Sequence, residues 1–301
     1  MSRFPQPAPL QRAATAADWQ ALEEPRGAIE LSVVAPAHNE EANIANLVDE
    51  VGKAILGLGV GVEFLIVDDG STDSTRARVL EVAATRPWLR CVAMSKTPPG
   101  RGCGQSAAFH AGFRAARGRL IATLDADLQN DPADLPVMLN LLRETNADMV
   151  QGDRSHARKD SAVRRIGSIV GRKFRLWLLD DTIRDTGCSL RVMKREIALS
   201  LPLELRGMHR FIPVTARHLG YTVAEHKVNH RPRHAGETKY GMGILPRALP
   251  GLIDLLVVRY MRNRRRATEN AEFMAEIVTA LGAEEARAEA PAERVREGTG
   301  A

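Results

Sequence analysis

The chain has 301 residues, 44% of them hydrophobic, and a formal charge of +5, so it can bury a full core as one large domain with appendages and is not disordered throughout. The charge is uneven: residues 268–301 hold eight glutamates against three arginines, a net of −5, which leaves about +10 on the rest and favours anionic partners, whether nucleic acid, acidic lipid headgroups or phosphorylated substrates. Only 4% of residues are aromatic, which argues against a protein that stacks bases on its surface.

Residues 1–29 are rich in Ala and Pro and lack an apolar core of signal length, so they read as a flexible leader. Leu31 to Ala35 is a short β-rich run, Glu41 to Leu56 a helical pattern and Phe64 to Val67 a second buried strand. Ser71 to Thr75 supplies capping hydroxyls for a helix reaching Thr85, and Leu89 to Ala93 makes a third strand. Gln105 to Ala116 is a helix, Leu120 to Leu124 a fourth strand, Leu135 to Thr145 a helix and Met149 to Gln151 a short strand. Strands alternating with helices imply a mostly parallel α/β sheet covered on both faces. Cys91, Cys103 and Cys188 are odd in number and lack CxxC spacing, which points to a reducing cytosol. No run reaches the roughly 20 apolar residues that span a bilayer. The best candidate, Leu252 to Val258, is interrupted by Asp254 and stops at Arg259, so a membrane would be met from one side only.

The chemistry gathers in loops that follow strands: PAHNEE at Pro36 to Glu41, VDDGSTDST at Val67 to Thr75 and LDADLQNDP at Leu124 to Pro132. Side chains two apart on an extended strand share a face, so Asp125, Asp127 and Gln129 can converge on one hard cation at the carboxyl edge of the sheet. The plainer reading is an Asx-rich turn that caps a helix starting at Pro132. Capping also accounts for Ser71, Thr72 and Asp73, but poorly for Asp68 and Asp69, whose carboxylates could accept from a base N–H or a ribose hydroxyl. No Gly-x-Gly-x-x-Gly follows the first strand and no Walker-type Gly-Lys-Ser is present, so a metal would have to take the place of a phosphate-cradling loop. His209, His218, His226, His230 and His234 lack metal-ligand spacing, and Cys103 reads as a small turn residue.

Those three loop motifs and Gln105 to Gly118, in this order, resemble the family 2 glycosyltransferases of the GT-A fold. The LQ after the DxD, QGDR at Gln151 to Arg154, DTGCSLRVMKRE at Asp185 to Glu196 and HRPRHAGETKYG at His230 to Gly241 resemble the dolichol-phosphate mannose synthase and polyprenyl-phosphate branch. The resemblance implies that Pro36, His38 and Glu40 line the nucleotide, with Val67 and Asp69 on the base; His38 stands where the family usually carries an aromatic. It implies that Asp125, Asp127 and Gln129 hold Mg2+ or Mn2+, with Ala126 beside the donor. It places Arg154, Arg233 and Lys239 on the substrate phosphates, with Asp125, Asp127, Arg154 and Lys239 carrying catalysis.

The implied domains are 1–29, leader; 30–241, a GT-A catalytic domain; 242–266, an amphipathic basic helical segment; and 267–301, an acidic, partly disordered tail. The implied reaction is inverting, metal-dependent transfer of a sugar from a GDP- or UDP-sugar to a polyprenyl phosphate at the cytosolic membrane face, with no nucleic-acid partner. A phosphate acceptor is already anionic, since its second pKa is about 6. An alcohol acceptor would need a general base, for which Asp185 is the candidate by chain position. A soluble transferase acting on a saccharide or protein hydroxyl is therefore the rival, followed by a nucleotidyltransferase and a sensor without turnover.

A peripheral membrane contact is expected from two segments. Arg154, Arg158, Lys159, Arg164 and Arg165 precede Ile166, Ile169, Val170, Phe174, Trp177 and Leu178 at near-helical spacing, with Arg172, Lys173 and Arg175 between them. Leu245 to Met261 is followed by Arg262, Arg264, Arg265 and Arg266. Either segment reads equally as a helix packed on the sheet with a solvated basic face. Thr268 to Leu281 can form one further helix.

Overall fold

A computed structural model describes residues 29–98, 100–155, 173–232 and 245–265, with side chains of the last helix described from 251 onward. Residues through Arg264 form one unit; Arg265–Ala301 belong to a second, of which only Arg265 is described. Arg158, Lys159, Arg164 to Arg172, Arg233, Lys239 and the Thr268 to Leu281 helix thus lie outside the described residues.

The first half follows a repeated strand–helix plan: β1 (Leu31–Ala37), α1 (Glu41–Ile55), β2 (Val62–Asp68), α2 (Thr75–Ala83) and β3 (Leu89–Ala93), then α3 (Gln105–Ala115), β4 (Leu120–Thr123), α4 (Leu135–Glu144) and β5 (Met149–Asp153). The second half adds β6 (Arg191–Lys194), α5 (Arg195–Ser200), α6 (Ile212–His218), β7 (Val223–Lys227) and α7 (Leu245–Arg264). Among the described residues seven strands lie in the order β3-β2-β1-β4-β6-β5-β7. Of these strands β6 alone runs antiparallel to its neighbours, β4 and β5.

Alternation along the strands builds two cores. Leu31, Val33 and Ala35 of β1, with Phe64 and Ile66 of β2, face α1 and α4, while Val34, Leu65 and Val67 face α3. Helix α1 fits the first face because Ile44, Leu47, Val48, Val51 and Ile55 recur on one helical stripe, all fully buried. On the other face α3 lies so close that a Cβ at Gly112 would stand 2.4 Å from Val34 Cγ1 and 2.9 Å from Val67 Cγ2. A methyl group there would overpack the core, at about 1–3 kcal/mol.

The two ends of the sheet carry different chemistry. At the amino ends the buried Glu63 accepts from Ser32 Oγ at 2.6 Å, Arg90 Nη1 at 2.6 Å and the Arg117 amide at 2.6 Å, an arrangement that fastens strands to one another. At the carboxyl ends, β1 pairs with β2 on one side and β4 on the other, so the connections leaving β1 and β4 diverge. That reversal of strand order opens the crevice in which open α/β sheets bind ligands. Because β6 is antiparallel, the residues that precede it, 184–190, lie at this same edge.

Helical residues 173–179 reverse part of the sequence expectation. Arg175 is buried and paired with Asp181 at 3.0 Å, while Phe174 and Trp177 face outward, Trp177 at 74% exposure. The basic residue is spent on the fold and the aromatics form the surface. Among the described residues no helix is long and apolar enough to cross a membrane.

Candidate active site

The loops after β1 and β2 are laced together. Asn39, at φ 55°, accepts the Thr72 amide at 2.8 Å and donates its own amide to Ser71 Oγ at 3.0 Å. The Glu40 amide reaches Thr75 Oγ1 at 2.8 Å, and Glu41 accepts the Ser74 amide at 2.7 Å. Asp73 caps α2 through the Thr75 amide at 2.9 Å. Capping thus accounts for Asp73, while Ser71 and Thr72 serve the neighbouring loop.

Asp68 is structural. It is fully buried, accepts the Ser71 amide at 3.0 Å and pairs with Arg76 at 2.6 Å. Burial alone would raise its pKa, but the hydrogen bonds from Ser71 and Arg76 outweigh it and hold the carboxyl below its ordinary range. Asp69 closes the crevice: its Oδ1 accepts from the Cys103 amide at 2.8 Å and Thr97 Oγ1 at 3.1 Å, and its Oδ2 from the Gly104 amide at 2.7 Å. Gly102 and Gly104, at φ 63° and 94°, permit that wrap. His38 Nδ1 lies 2.8 Å from the Asp69 carbonyl, which can only accept, so Nδ1 carries the proton. Glu40 accepts from Asn43 at 2.7 Å. Pro36 lies at the end of β1, partly buried. The side chains of Val67 and Ala126 are in the core, so these two can offer a ligand only their main chain.

The DxD segment departs from the strand geometry expected of it. Strand β4 stops at Thr123, and residues 126–128 form a turn with Leu128 at φ 61°. Asp127 Oδ1 accepts the Gln129 amide at 3.1 Å, and Asp131 accepts the Ala133 amide at 3.0 Å to cap the short helix Pro132–Asp134. The Asx turn and cap are therefore real features of this stretch. A turn, not strand alternation, brings the two carboxylates together. Asp125 is partly buried; its Oδ1 accepts from Gln105 Nε2 at 2.5 Å and its Oδ2 from Ser189 Oγ at 2.5 Å. Burial first, and then the charge of Asp127, pushes its pKa up against the pull of Ser189, Arg154 and Arg191.

Two carboxylates that repel each other in a partly dry site offer oxygen donors of the kind a hard divalent cation takes. Among the described residues no group of three or more His, Cys, Asp or Glu gathers as a metal site. A cation here would keep positions open for substrate phosphate, as Mg2+ sites ordinarily do.

The loop before β6 supplies the other wall. Asp185 receives Arg154 Nε at 2.9 Å, Arg154 Nη2 at 3.4 Å, the Arg154 amide at 3.2 Å and the Gly187 amide at 3.0 Å. Behind them Arg191, almost fully buried, donates to Gln151 Oε1 at 2.9 Å and the Thr186 carbonyl at 3.1 Å; burial lowers its pKa to about 10. Gln151 Nε2 in turn reaches the carbonyls of Asp185 and Cys188, each at 3.0 Å. The strap after β7 runs along the DxD loop: Asn229 bonds Asp134, His230 bridges Asn130 and the Arg231 amide donates to Gln129 O at 2.9 Å. Arg233 follows two residues on.

The sequence reading missed Gln105, Asn130, Ser189 and Arg191. Their signal was weak: each stands in a motif named above, but the contacts of Asn130, Ser189 and Arg191 depend on the antiparallel β6 and that of Gln105 on α3 lying against the DxD loop.

A mostly parallel sheet with a carboxylate-bearing loop at its topological switch point, flanked by a buried arginine, defines the GT-A layout of a glycosyltransferase. The chain belongs to glycosyl transferase family 2, whose sequence model matches residues 32–200. It is similar to the dodecaprenyl-phosphate galacturonate synthase of Rhizobium johnstonii, 34% identical over 269 residues, covering 86% of this chain and 75% of that protein. It is also similar to the undecaprenyl-phosphate 4-deoxy-4-formamido-L-arabinose transferase of Shewanella sediminis, 37% identical over 211 residues, covering 70% of this chain and 62% of that protein. Against this second relative the chain spans less than two thirds of the length. Its fold is shared with the glucosyl-3-phosphoglycerate synthase of Mycobacterium tuberculosis, crystallised with Mn2+, UDP-glucose and phosphoglyceric acid, at TM-score 0.57 and 22% identity over 83% of this chain and 85% of that one.

Proposed function

We propose that this enzyme transfers a sugar from a nucleotide sugar to a polyprenyl phosphate, with inversion, at the cytosolic face of a membrane. The observation that carries the acceptor class is the commitment of Asp185. An alcohol acceptor must lose a proton in the transition state and needs a base within reach. The candidate base accepts three hydrogen bonds from Arg154 and one from Gly187, so it acts as an arginine-positioning group. An anionic phosphate oxygen needs no base; it needs a cation and alignment. The two relatives, a dodecaprenyl-phosphate galacturonate synthase and an undecaprenyl-phosphate 4-deoxy-4-formamido-L-arabinose transferase, point the same way.

In the proposed reaction an acceptor phosphate oxygen attacks the anomeric carbon, its lone pair forming the new C–O bond, as the bond to the nucleoside diphosphate breaks and its electrons leave with the diphosphate. Mg2+ or Mn2+, held by Asp125, Asp127 and Gln129, would supply charge neutralisation of that leaving group. Arg154, presented by Asp185, holds the phosphate side of the reacting pair, and Arg233 with Lys239 provides cations from the segment that follows the Gln129 strap. Pro36, His38, Glu40 and the main chain of Val67 and Ala126 line the donor, while Asp69 meets the base once the Cys103 and Gly104 amides yield it.

The lipid side is supported by an exposed apolar surface. Phe174 and Trp177 stand outward beside α7, whose Leu252, Ile253, Leu256 and Tyr260 are also exposed. Arg259 and Arg262 tie the two helices together through the carbonyls of Leu178 and Leu179, at 2.7 and 2.8 Å. Aromatic and aliphatic side chains among arginines suit an anionic leaflet.

A thermal-shift panel of nucleoside diphosphates and nucleotide sugars, with and without Mn2+, tests the donor half. One nucleotide series should raise the unfolding midpoint, and the rise should grow with Mn2+; no stabilisation by any nucleotide would sink the donor reading. For the membrane half, the chain should float with vesicles containing anionic lipid and remain behind with neutral ones, and equal recovery from both would contradict it.

A further inference from the structure

Asp125 is held at both carboxylate oxygens, and neither partner is a residue that touches substrate in the reading above. Gln105 Nε2 donates to Oδ1 and Ser189 Oγ stands on Oδ2, both at 2.5 Å. Ser189 Oγ also lies 2.7 Å from Asn130 Oδ1, which itself accepts the Asp125 amide at 3.2 Å. A serine hydroxyl has one proton to give, so it serves two acceptors in turn. Both holders are braced. Thr123 Oγ1 donates to the Ser189 carbonyl at 2.5 Å. Gln105 opens α3, where Ser106 Oγ accepts the His209 amide at 3.1 Å and lies 2.8 Å from His209 Nδ1. Burial drives the pKa of His209 down to about 3, so its ring is neutral, and its contact with Ser106 Oγ is a hydrogen bond between uncharged groups.

We propose that Gln105 and Ser189 are positioning residues that fix the orientation of the Asp125 carboxylate for a divalent cation, so that metal affinity is set by two side chains that do not ligate it. The inference rests on the metal reading above. Each Asp125 oxygen keeps a lone pair after accepting one hydrogen bond. A carboxylate already held in place binds a cation without first losing rotational freedom. Hydrogen bonds to ligating carboxylates typically change metal affinity by about 10- to 100-fold when removed. A second consequence concerns the nucleotide: Gly104 donates to Asp69 and the next residue, Gln105, to Asp125, so one peptide unit links the base side and the metal side of the crevice.

The test is Mn2+ binding to the whole chain, read from the free-ion electron paramagnetic resonance signal, with no sugar donor present. Gln105→Leu and Ser189→Ala should each weaken Mn2+ by about 10-fold. They should leave metal-free nucleoside diphosphate affinity within about twofold, and raising Mn2+ should restore kcat. Unchanged Mn2+ affinity in both Gln105→Leu and Ser189→Ala would overturn this inference alone. No Mn2+ binding by the unaltered chain, or no loss on Asp127→Ala, would overturn the metal reading and this inference with it. Lost activity that excess Mn2+ fails to restore would mark a merely structural role and also overturn it.

Discussion

Asp127→Asn is expected to cut sugar transfer by about 10³-fold or more while making the metal-free protein more stable. Removing a central charge-stabilising element from a preorganised site typically costs on the order of 10²–10³ in kcat, and the loss here also deprives the diphosphate of its cation. Stability moves the other way because Asp125 pays for its neighbour. Its pKa is raised by burial and then by the Asp127 charge, so at neutral pH the ionised form is disfavoured in the folded state. A carboxyl with a raised folded pKa is least costly below its unfolded pKa and most costly above its folded one. Neutralising Asp127 lowers the Asp125 pKa and removes part of that cost. The asparagine keeps a side-chain oxygen for the Gln129 amide, so the turn survives. A gain of about 1 kcal/mol corresponds to roughly 2–4 °C in a domain of this size. Calorimetry without metal at pH 7.5 and at pH 4 checks it: the gain should appear at the higher pH and vanish at the lower.

Asp185→Asn is expected to lower activity by about 10²-fold and to destabilise the fold, without changing the shape of the pH–rate profile. Arg154 and Asp185 form a pair whose side chains are 12% and 6% exposed. Breaking such a pair from one side typically costs about 3–5 kcal/mol, because it leaves an uncompensated buried charge. The amide retains some of the hydrogen bonds, so the loss should fall toward the lower end. The paired change Asp185→Asn with Arg154→Gln should recover part of the stability and none of the activity, and a double-mutant cycle measures the coupling directly. If Asp185 were instead the base for an alcohol acceptor, the single change would remove the acidic limb of the profile and cost about 10⁴-fold, at the upper end of general-base effects.

The first five strands were legible because each is a short apolar run closed by polar turn residues, and the helices between them repeat apolar residues on one stripe, as α1 does from Ile44 to Ile55. Strands β6 and β7, with α5 and α6, were not assigned from the sequence. Arg191 occupies the middle of an apolar run, and its burial is decided by Gln151, far away in sequence, together with the Thr186 carbonyl in the loop just before β6. In β7 the residues Val223 to His226 are partly buried and Lys227 is exposed, so no apolar alternation marks them.

The acidic residues of the site were legible by type and only partly by geometry. Asp125 and Asp127 were expected to share the face of a strand, yet β4 ends at Thr123 and the positive φ of Leu128 bends the chain. Asp68 looked equivalent to Asp69 in sequence, but Arg76 takes it for the fold. Arg175 looked like part of a solvated basic face, and Asp181 draws it inward. For Asp68 and Arg175 a counter-charge one or two turns along the chain, which the residue pattern does not assign to them, decides what the charged side chain is for.

The most direct test of the central claim is product analysis. The full chain would be incubated with Mn2+, a panel of nucleotide sugars and either a polyprenyl phosphate, the matching polyprenyl alcohol or a free saccharide in detergent. The account expects nucleoside diphosphate release matched one-for-one by a polyprenyl-phosphate sugar of inverted anomeric configuration, lost on chelation and absent with the alcohol. Metal-independent transfer, or transfer to the saccharide or alcohol with none to the lipid phosphate, would contradict it.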